Sequence, residues 1–312
     1  MNTFNINNKF NLLLALLVFL FLYLFQRRHK NPRQNPSNDE VNLFPTENFK
    51  GDRFMEQLNF NQVSDQTKIF KILVWKGVDK LHEWDMLIAK EGREMLQIEE
   101  CNVQNCELTS DRSQFESSDL VIFHESSDNI PSGTEKPMGQ KWMMYTIESP
   151  GYSNPFANMD WTATYRMDST VAAPYGKWTP YDDKNRIENS PVAFDISRKT
   201  KKVAWFVSHC ETSNKREDYA KELAKYIDVD VYGECGTLQC IKNSSYIENC
   251  HDILDTDYKF YLSFENSNCK DYITEKLWNI LKHDIIPIVM GSSLENYKEL
   301  GTLKLLSNAK YF

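Results

Sequence analysis

The densest group of chemically capable side chains lies between Tyr258 and Gly291. An apolar run, YKFYLSF, leads at once into Glu265-Asn266-Ser267. Asp271-Tyr272-Ile273-Thr274-Glu275-Lys276 follows, and then a second apolar run, IIPIVMG. Read as strand, loop, helix and strand, the segment puts Glu265 and Asn266 at the carboxyl end of a strand. Thr274, Glu275 and Lys276 then fall in the first turn of a helix. In an α/β sheet ligands gather at those two places, because strand ends open into loops and helix N-termini present unpaired N–H groups. A lysine there can meet a phosphate, and a carboxylate there can hold the hydroxyl pair of a ribose. The same residues also fit a plain capped helix start, with Asp271 or Thr274 as cap, Glu275 favouring the helix dipole and Lys276 solvated.

The elements that must position these groups are legible as apolar runs. Ile69 to Trp75, Asp119 to Phe123 and Trp142 to Ile147 read as strands, and Leu81 to Leu96 has helical spacing. A loop-rich region extends to about residue 200. Beyond it, Val203 to Ser208, Val229 to Tyr232, Tyr258 to Phe264 and Ile285 to Val289 read as strands, with Lys215 to Tyr226 and Ile273 to Leu281 as helices. Short apolar strands alternating with amphipathic helices predict α/β units with parallel sheets. The pattern occurs twice, so two α/β domains facing a cleft are expected, residues 67–195 and 196–312. Asp228-x-Asp230 imitates a metal-binding pair. On a strand its two side chains share one face, and a structural role is expected, with no compulsory metal.

The 312 residues are 41% hydrophobic and 26% charged, an ordinary globular balance that excludes a disordered or fibrous chain. The net charge of −8 argues against electrostatic binding of nucleic acid, which needs a basic surface. Leu12 to Phe25 is unbroken apolar sequence, followed by Arg27, Arg28, His29 and Lys30. With Phe10, Asn11 and Gln26 the segment nears the lower limit for a membrane span. No small-residue cleavage site follows, so an uncleaved signal anchor over residues 10–26 is expected after a short cytosolic tail, residues 1–9. The basic cluster runs against the orientation that puts the bulk of the chain in a lumen. Residues 27–66, rich in Asn, Gln, Pro and charge, read as a flexible stem.

The seven cysteines fit an oxidising compartment behind such an anchor: Cys101, Cys106, Cys210, Cys235, Cys240, Cys250 and Cys269. Cys101 and Cys106 share one short loop, and so do Cys235 and Cys240. Buried reduced thiols are the alternative. Asn243-Ser244-Ser245 is an N-glycosylation sequon, so Asn243 is a candidate attachment site.

YKFYLSFENSNCKDYITEKLWNIL with IIPIVMG resembles the donor-binding signature of the α-1,3-fucosyltransferases, glycosyltransferase family ten. VAWFVSHCETSNKREDYAKEL with VDVYGECG resembles the first strand and helix of that family's nucleotide-sugar domain. GQKWMMYTIESP and MDWTATYRMDSTVAAPYG are similar to its acceptor-side motifs. The resemblance covers residues 68 to 292 in order. It implies two facing Rossmann-like domains of the GT-B type in a Golgi type II membrane protein with its catalytic part in the lumen. It implies inverting transfer of fucose from GDP-fucose to a glycan of a glycoprotein. No cofactor is required, with stimulation by Mn²⁺ left open.

Residue roles follow from the same motifs. Arg216 matches an arginine at the GDP pyrophosphate, which a guanidinium suits by bidentate, charge-assisted bonding; an exposed helix residue is the alternative. Lys276 matches a second phosphate cation, and Glu275 a carboxylate near fucose or ribose. Glu265, Asn266 and Tyr272 belong to the same donor pocket, with Tyr258 near it. Glu148 matches the general base that an inverting transfer needs; a strand-end carboxylate capping a turn is the alternative. Tyr165, Arg166 and Asp168 match the YRxDS motif, for which a mainly architectural or cleft-lining role is expected, since a buried Arg–Asp pair often orders a loop.

Two departures stand out. His124-Glu125-Ser126-Ser127 lacks the arginine of the Lewis-type acceptor motif, while Cys101-Asn102-Val103-Gln104-Asn105-Cys106 resembles the enzymes that fucosylate the innermost N-acetylglucosamine of N-glycans. After Asn296-Tyr297 the likeness fades, so the second domain is expected to be incomplete. The other reading is then a catalytically dead partner of a longer fucosyltransferase that still binds GDP-fucose or glycan.

Overall fold

The computed structural model describes residues 53–58, 68–77, 91–94, 103–153, 158–177, 196–239 and 247–299. The expected anchor, most of the Leu81–Leu96 helix and the Asn243 sequon lie outside them. Among the described residues no helix is long and apolar enough to cross a membrane. The chain divides into two compact units, residues 2–173 and 174–312.

The first unit is built on six strands: β1 (Phe70–Val74), β2 (Cys106–Thr109), β3 (Leu120–His124), β4 (Lys141–Thr146), β5 (Trp161–Thr164) and β6 (Val171–Ala172). They form one sheet in the order β2-β1-β3-β4-β5-β6, parallel throughout. Consecutive side chains of β1, β3 and β4 are buried on both faces, which is why they read as unbroken apolar runs. One face packs Leu73, Trp75, Val121, Phe123 and Trp142 into a cluster. Asp119 fixes where the sheet begins. Its carboxylate accepts the Lys71 amide (2.9 Å) and the Lys68 ammonium (2.8 Å).

Three strands were not legible as such. β2, β5 and β6 lie in stretches read as loop. They are only four, four and two residues long, and the Thr and Glu side chains of β2 and the Thr side chains of β5 blur the alternation. The expected flexible stem also needs correcting at its end. Arg53–Leu58 forms a helix, α1, docked on β6. Phe54 is buried there, the Arg53 guanidinium donates to the Thr170 carbonyl (2.5 Å), and Gln57 bonds both backbone groups of Ala172 (3.1 Å each). Edge-strand backbone groups otherwise lack partners, and α1 supplies them.

The second unit has β7 (Lys201–Phe206), α2 (Arg216–Leu223), β8 (Val229–Tyr232), α3 (Ile247–Thr256), β9 (Tyr258–Phe264), α4 (Glu275–Trp278), β10 (Ile286–Met290) and α5 (Leu294–Glu299). The sheet order is β10-β9-β7-β8, again parallel. The expected Ile273–Leu281 helix is α4 followed by a 3-10 turn, Ile280–Lys282; α3 was not expected. The chain joins this unit earlier than the boundary expected at residue 195. Tyr175 already packs on Ile273, Leu277, Trp278 and Tyr297, and a Cβ on Gly176 would stand 2.4 Å from the Trp278 ring.

A disulfide, Cys210–Cys235, ties the loop after β7 to the loop after β8, its two cysteines 25 positions apart in the chain. Closing a loop of that length in the unfolded chain is worth about 3–4 kcal/mol. Replacing both cysteines by alanine is expected to lower unfolding free energy by that order in denaturant titration; an unchanged midpoint would contradict it. Gly233 stands beside this junction with φ of +94°, where a Cβ would meet the Val207 carbonyl oxygen at 2.6 Å.

Candidate functional site

β7 and β9 are neighbours in the second sheet, so the loops that leave their carboxyl ends lie side by side. Arg216, the first residue of α2, is only 2% exposed. Its Nη1 donates to the Phe264 carbonyl (2.8 Å), its Nη2 to the His209 carbonyl (2.7 Å), and its Nε reaches Glu217 Oε1 (3.3 Å). The guanidinium thus clamps the end of β9 to the loop after β7. It is not the exposed helix residue that one reading of the sequence allowed. Asn214 makes a second tie, donating to the Glu265 carbonyl (2.9 Å) and to Asn268 Oδ1 (3.0 Å).

Glu265, 1% exposed, turns its carboxylate onto the start of α4. Oε1 accepts the Thr274 amide (2.7 Å) and Oε2 the Thr274 hydroxyl (2.7 Å). Thr274 is itself the cap of α4, so the carboxylate and the helix N-terminus complement each other. Lys276 places its ammonium 2.8 Å from Glu275 Oε1, 3.1 Å from the Thr274 hydroxyl and 3.6 Å from Glu265 Oε2. The Lys276 side chain remains partly open to solvent, and Glu275 is exposed. The loop between Glu265 and Thr274 is pinned by Asn296, which donates to Asp271 Oδ1 (2.8 Å) and accepts the Asp271 amide (3.2 Å). Gly291 closes the back of the site. With φ of +148° it leaves room for Glu265, whose Cγ a Cβ there would meet at 2.6 Å.

Burial pushes the Glu265 carboxyl up to about 7; Lys276 opposes the rise, Glu275 adds to it, and the Thr274 bonds oppose it. The sign of the consequence is fixed by linkage. The folded-state value stands above the unfolded value near 4.5, so the folded protein holds the extra proton between the two. Stability from this group is complete below about pH 4.5 and is lost as pH rises through about 7, by roughly 3 kcal/mol at most. Denaturant titrations from pH 4.5 to 8 are expected to show this decline and Glu265→Gln to flatten it. Equal pH dependence in the two proteins would refute the assignment.

The structure therefore brings Arg216, Glu265, Asn266, Glu275 and Lys276 to one edge of the second sheet. Asn266 Oδ1 is buried there and takes no hydrogen bond from the described residues. An acceptor left unpaired at a strand end offers a place to a donor group of a ligand. Two residues are placed differently from expectation. Tyr272 is fully buried against Tyr175, ring centroids 6.3 Å apart, and supports the loop from behind. Tyr258 begins β9, at the opposite end of the strand from Glu265. Its hydroxyl meets the Tyr232 hydroxyl (2.7 Å) and donates to Asp230 Oδ2 (2.5 Å), while the Lys201 ammonium donates to it (3.0 Å). Asp230 is engaged in that cluster. Asn214, Gly291 and Asn296 were missed; only the position of Asn214, two residues before Arg216 in a strand-to-helix loop, could have signalled it.

In the first unit Glu148 follows β4 at the carboxyl edge of its sheet, half-buried, with its amide donating to the Thr146 hydroxyl (3.2 Å). Glu125 follows β3 beside it. His124 is buried, its Nδ1 2.7 Å from the Ser126 hydroxyl; burial, with Lys76 adding, drops it to about 4, so it is neutral at physiological pH. Tyr165 is buried. Arg166 and Asp168 do pair, Nε to Oδ1 at 2.7 Å, but both side chains are about two-fifths exposed, so the pair is not the buried one expected. The buried arginine that orders this loop is Arg53, through the Thr170 carbonyl (2.5 Å).

Comparison with known proteins gives a consistent result. Residues 67–176 match the family model "Fucosyltransferase, N-terminal" and residues 196–304 match "Glycosyltransferase family 10 (fucosyltransferase) C-term". Glycoprotein 3-alpha-L-fucosyltransferase A of Drosophila melanogaster is 41% identical over 267 residues, covering 82% of this chain and 51% of the relative. Alpha-(1,3)-fucosyltransferase fut-1 of Caenorhabditis elegans is 33% identical over 291 residues, covering 87% and 63%. The chain spans about half the length of the first of these relatives. A solved structure described as "Crystal Structure of alpha1,3-Fucosyltransferase with GDP" aligns with a TM-score of 0.48 at 19% identity, over 80% of this chain and 82% of that one.

Proposed function

Given that the chain belongs to glycosyltransferase family 10, the fucosyltransferases, we propose that it is an α-1,3-fucosyltransferase. It moves fucose with inversion from GDP-fucose to an N-acetylglucosamine of a glycoprotein glycan, at the N-glycan core. The observation that carries the donor side is the set at the carboxyl edge of the second sheet. Lys276 is a partly open cation over a helix start, Glu265 is wedged behind it, and Asn266 holds an unpaired acceptor.

In this reading Lys276 neutralises charge on the departing diphosphate, which lowers the barrier where negative charge develops. Arg216 holds the two loops that shape the pocket; contact with the pyrophosphate falls to whichever of its N–H groups the carbonyls leave over. Glu275 and Asn266 take hydroxyl or amide groups of the donor. In the reaction the acceptor hydroxyl oxygen bonds to C1 of fucose from the face opposite the leaving group. The bond from C1 to the β-phosphate oxygen breaks, its electron pair leaves with GDP, and the hydroxyl proton passes to the Glu148 carboxylate. No metal enters these steps. The acceptor assignment rests on the absence of an arginine after His124 and on the Cys101–Cys106 segment. The membrane anchor and the Golgi lumen are part of the same proposal.

The test is a transfer assay on the full chain with labelled GDP-fucose and a panel of N-glycan cores and lactosamines. Transfer to the core N-acetylglucosamine is expected. Preference for lactosamine would overturn the acceptor reading. GDP binding by a folded protein without transfer would leave the donor reading standing and remove the activity.

A further inference from the structure

A second carboxyl group stands beside Glu148. β3 and β4 are paired with His124 opposite Tyr145, so Glu125 and Thr146 are the next residues in register. The Glu125 amide donates to the Tyr145 carbonyl (3.2 Å), which continues the ladder by one bond. The Thr146 hydroxyl, in a residue 3% exposed, donates its proton to Glu125 Oε2. The Thr146 hydroxyl oxygen in turn accepts the Glu148 amide at 3.2 Å. One hydroxyl thus joins the side chain of Glu125 to the backbone that carries Glu148. It fills both roles only while the facing Glu125 oxygen is an acceptor, because a hydroxyl has one proton to give.

We infer that Glu125 is a positioning residue for Glu148, acting through the Thr146 hydroxyl. The inference rests on the reading of Glu148 as the base. A base has to be held within a fraction of an ångström of productive geometry, and the groups that hold it act on rate without touching substrate. The backbone at Glu148 is fixed on its amide side by this bond and on its strand side by β4. Glu125 is therefore the far anchor of the loop that aims the carboxylate.

Two charged groups act on Glu125: Lys76, following β1, which donates to the Ser126 hydroxyl, and Glu148 on the loop after β4. His124, next to it in sequence, is neutral, and Arg112 is engaged with Asp128 (3.1 Å) and the Trp75 carbonyl (2.8 Å). Burial raises the Glu125 carboxyl, the Thr146 bond opposes the rise, Glu148 adds to it and Lys76 opposes it.

The experiment compares steady-state transfer by the full chain and its variants. Glu125→Ala and Thr146→Val are expected to lower kcat by about tenfold with the KM for GDP-fucose unchanged. Thr146→Ser and Glu125→Gln keep a hydroxyl and an acceptor oxygen and are expected to restore kcat to within about threefold. Wild-type kcat in Thr146→Val, failure of Thr146→Ser to rescue, or failure of Glu125→Gln to rescue would each overturn the inference while the base reading stands. Should Glu125→Ala not fold, Thr146→Val against Thr146→Ser decides. Full turnover by Glu148→Gln would remove the base reading itself, and the inference with it.

Discussion

Glu148→Gln is expected to reduce fucose transfer by about 10²- to 10⁴-fold, the range that a positioned general base contributes. Glutamine keeps the size and the backbone amide bond to Thr146, and loses the negative charge and with it the capacity to accept a proton. The melting temperature is therefore expected to stay within about 2 °C of the wild type, because exposed and half-exposed substitutions of like shape change stability little. Donor affinity is expected to be unchanged, since Arg216, Glu265, Asn266 and Lys276 all belong to the second unit and Glu148 to the first. The check is a pair of measurements on the same preparation, initial rates with labelled GDP-fucose and calorimetric titration with GDP. A variant that keeps most of its rate would assign Glu148 to the turn it begins and leave the base unidentified. A variant that loses GDP binding would show a structural defect.

Arg216→Ala is the second large effect, and it acts first on stability. The substitution strips partners from the Phe264 and His209 carbonyls and from Glu217, and it empties a space beside the Trp205 ring, 5.7 Å from the guanidinium. Removing one member of a buried charged network leaves its partners desolvated and unpaired, which costs about 3–5 kcal/mol. A drop in melting temperature of roughly 10 °C follows for a unit of this size. Arg216→Lys is expected to fall between, since an ammonium cannot reproduce the planar fork that reaches two carbonyls at once. The folded fraction is expected to bind GDP at least tenfold more weakly, because the clamp sets the spacing of the loops after β7 and β9. Melting at the wild-type temperature with lost GDP binding would reverse the emphasis and make Arg216 primarily a phosphate ligand.

Much of this architecture is written locally. The strands of a parallel sheet are buried on both faces, so β1, β3, β4, β7, β9 and β10 stand out as short apolar runs without any partner being known. The motif from Glu265 to Lys276 was equally legible. A strand end, a cap and a helix start occur within a dozen consecutive residues, and the chemistry of each is a property of its own side chain. What the sequence left blurred were elements too short or too polar to show a period, namely β2, β5, β6, the docked helix α1 and the breaking of the Ile273–Leu281 helix after α4.

The roles of individual polar residues were decided elsewhere. Arg216 reads equally well as a solvated helix residue and as a phosphate ligand; its burial beneath two carbonyls depends on Phe264, 48 residues away. Gly291 gains meaning only from Glu265, Asn296 only from Asp271, Asn214 from Glu265 and Cys210 from Cys235. Glu125 is one more surface acid until the register of β3 and β4 sets it against Thr146 and Glu148. The division has a physical cause. Apolar burial is non-directional and leaves its mark on every residue of an element, so periodicity in the sequence suffices to read it. A hydrogen bond or ion pair depends on a few tenths of an ångström between atoms from distant parts of the chain. That distance exists only once the sheets have brought their loops together.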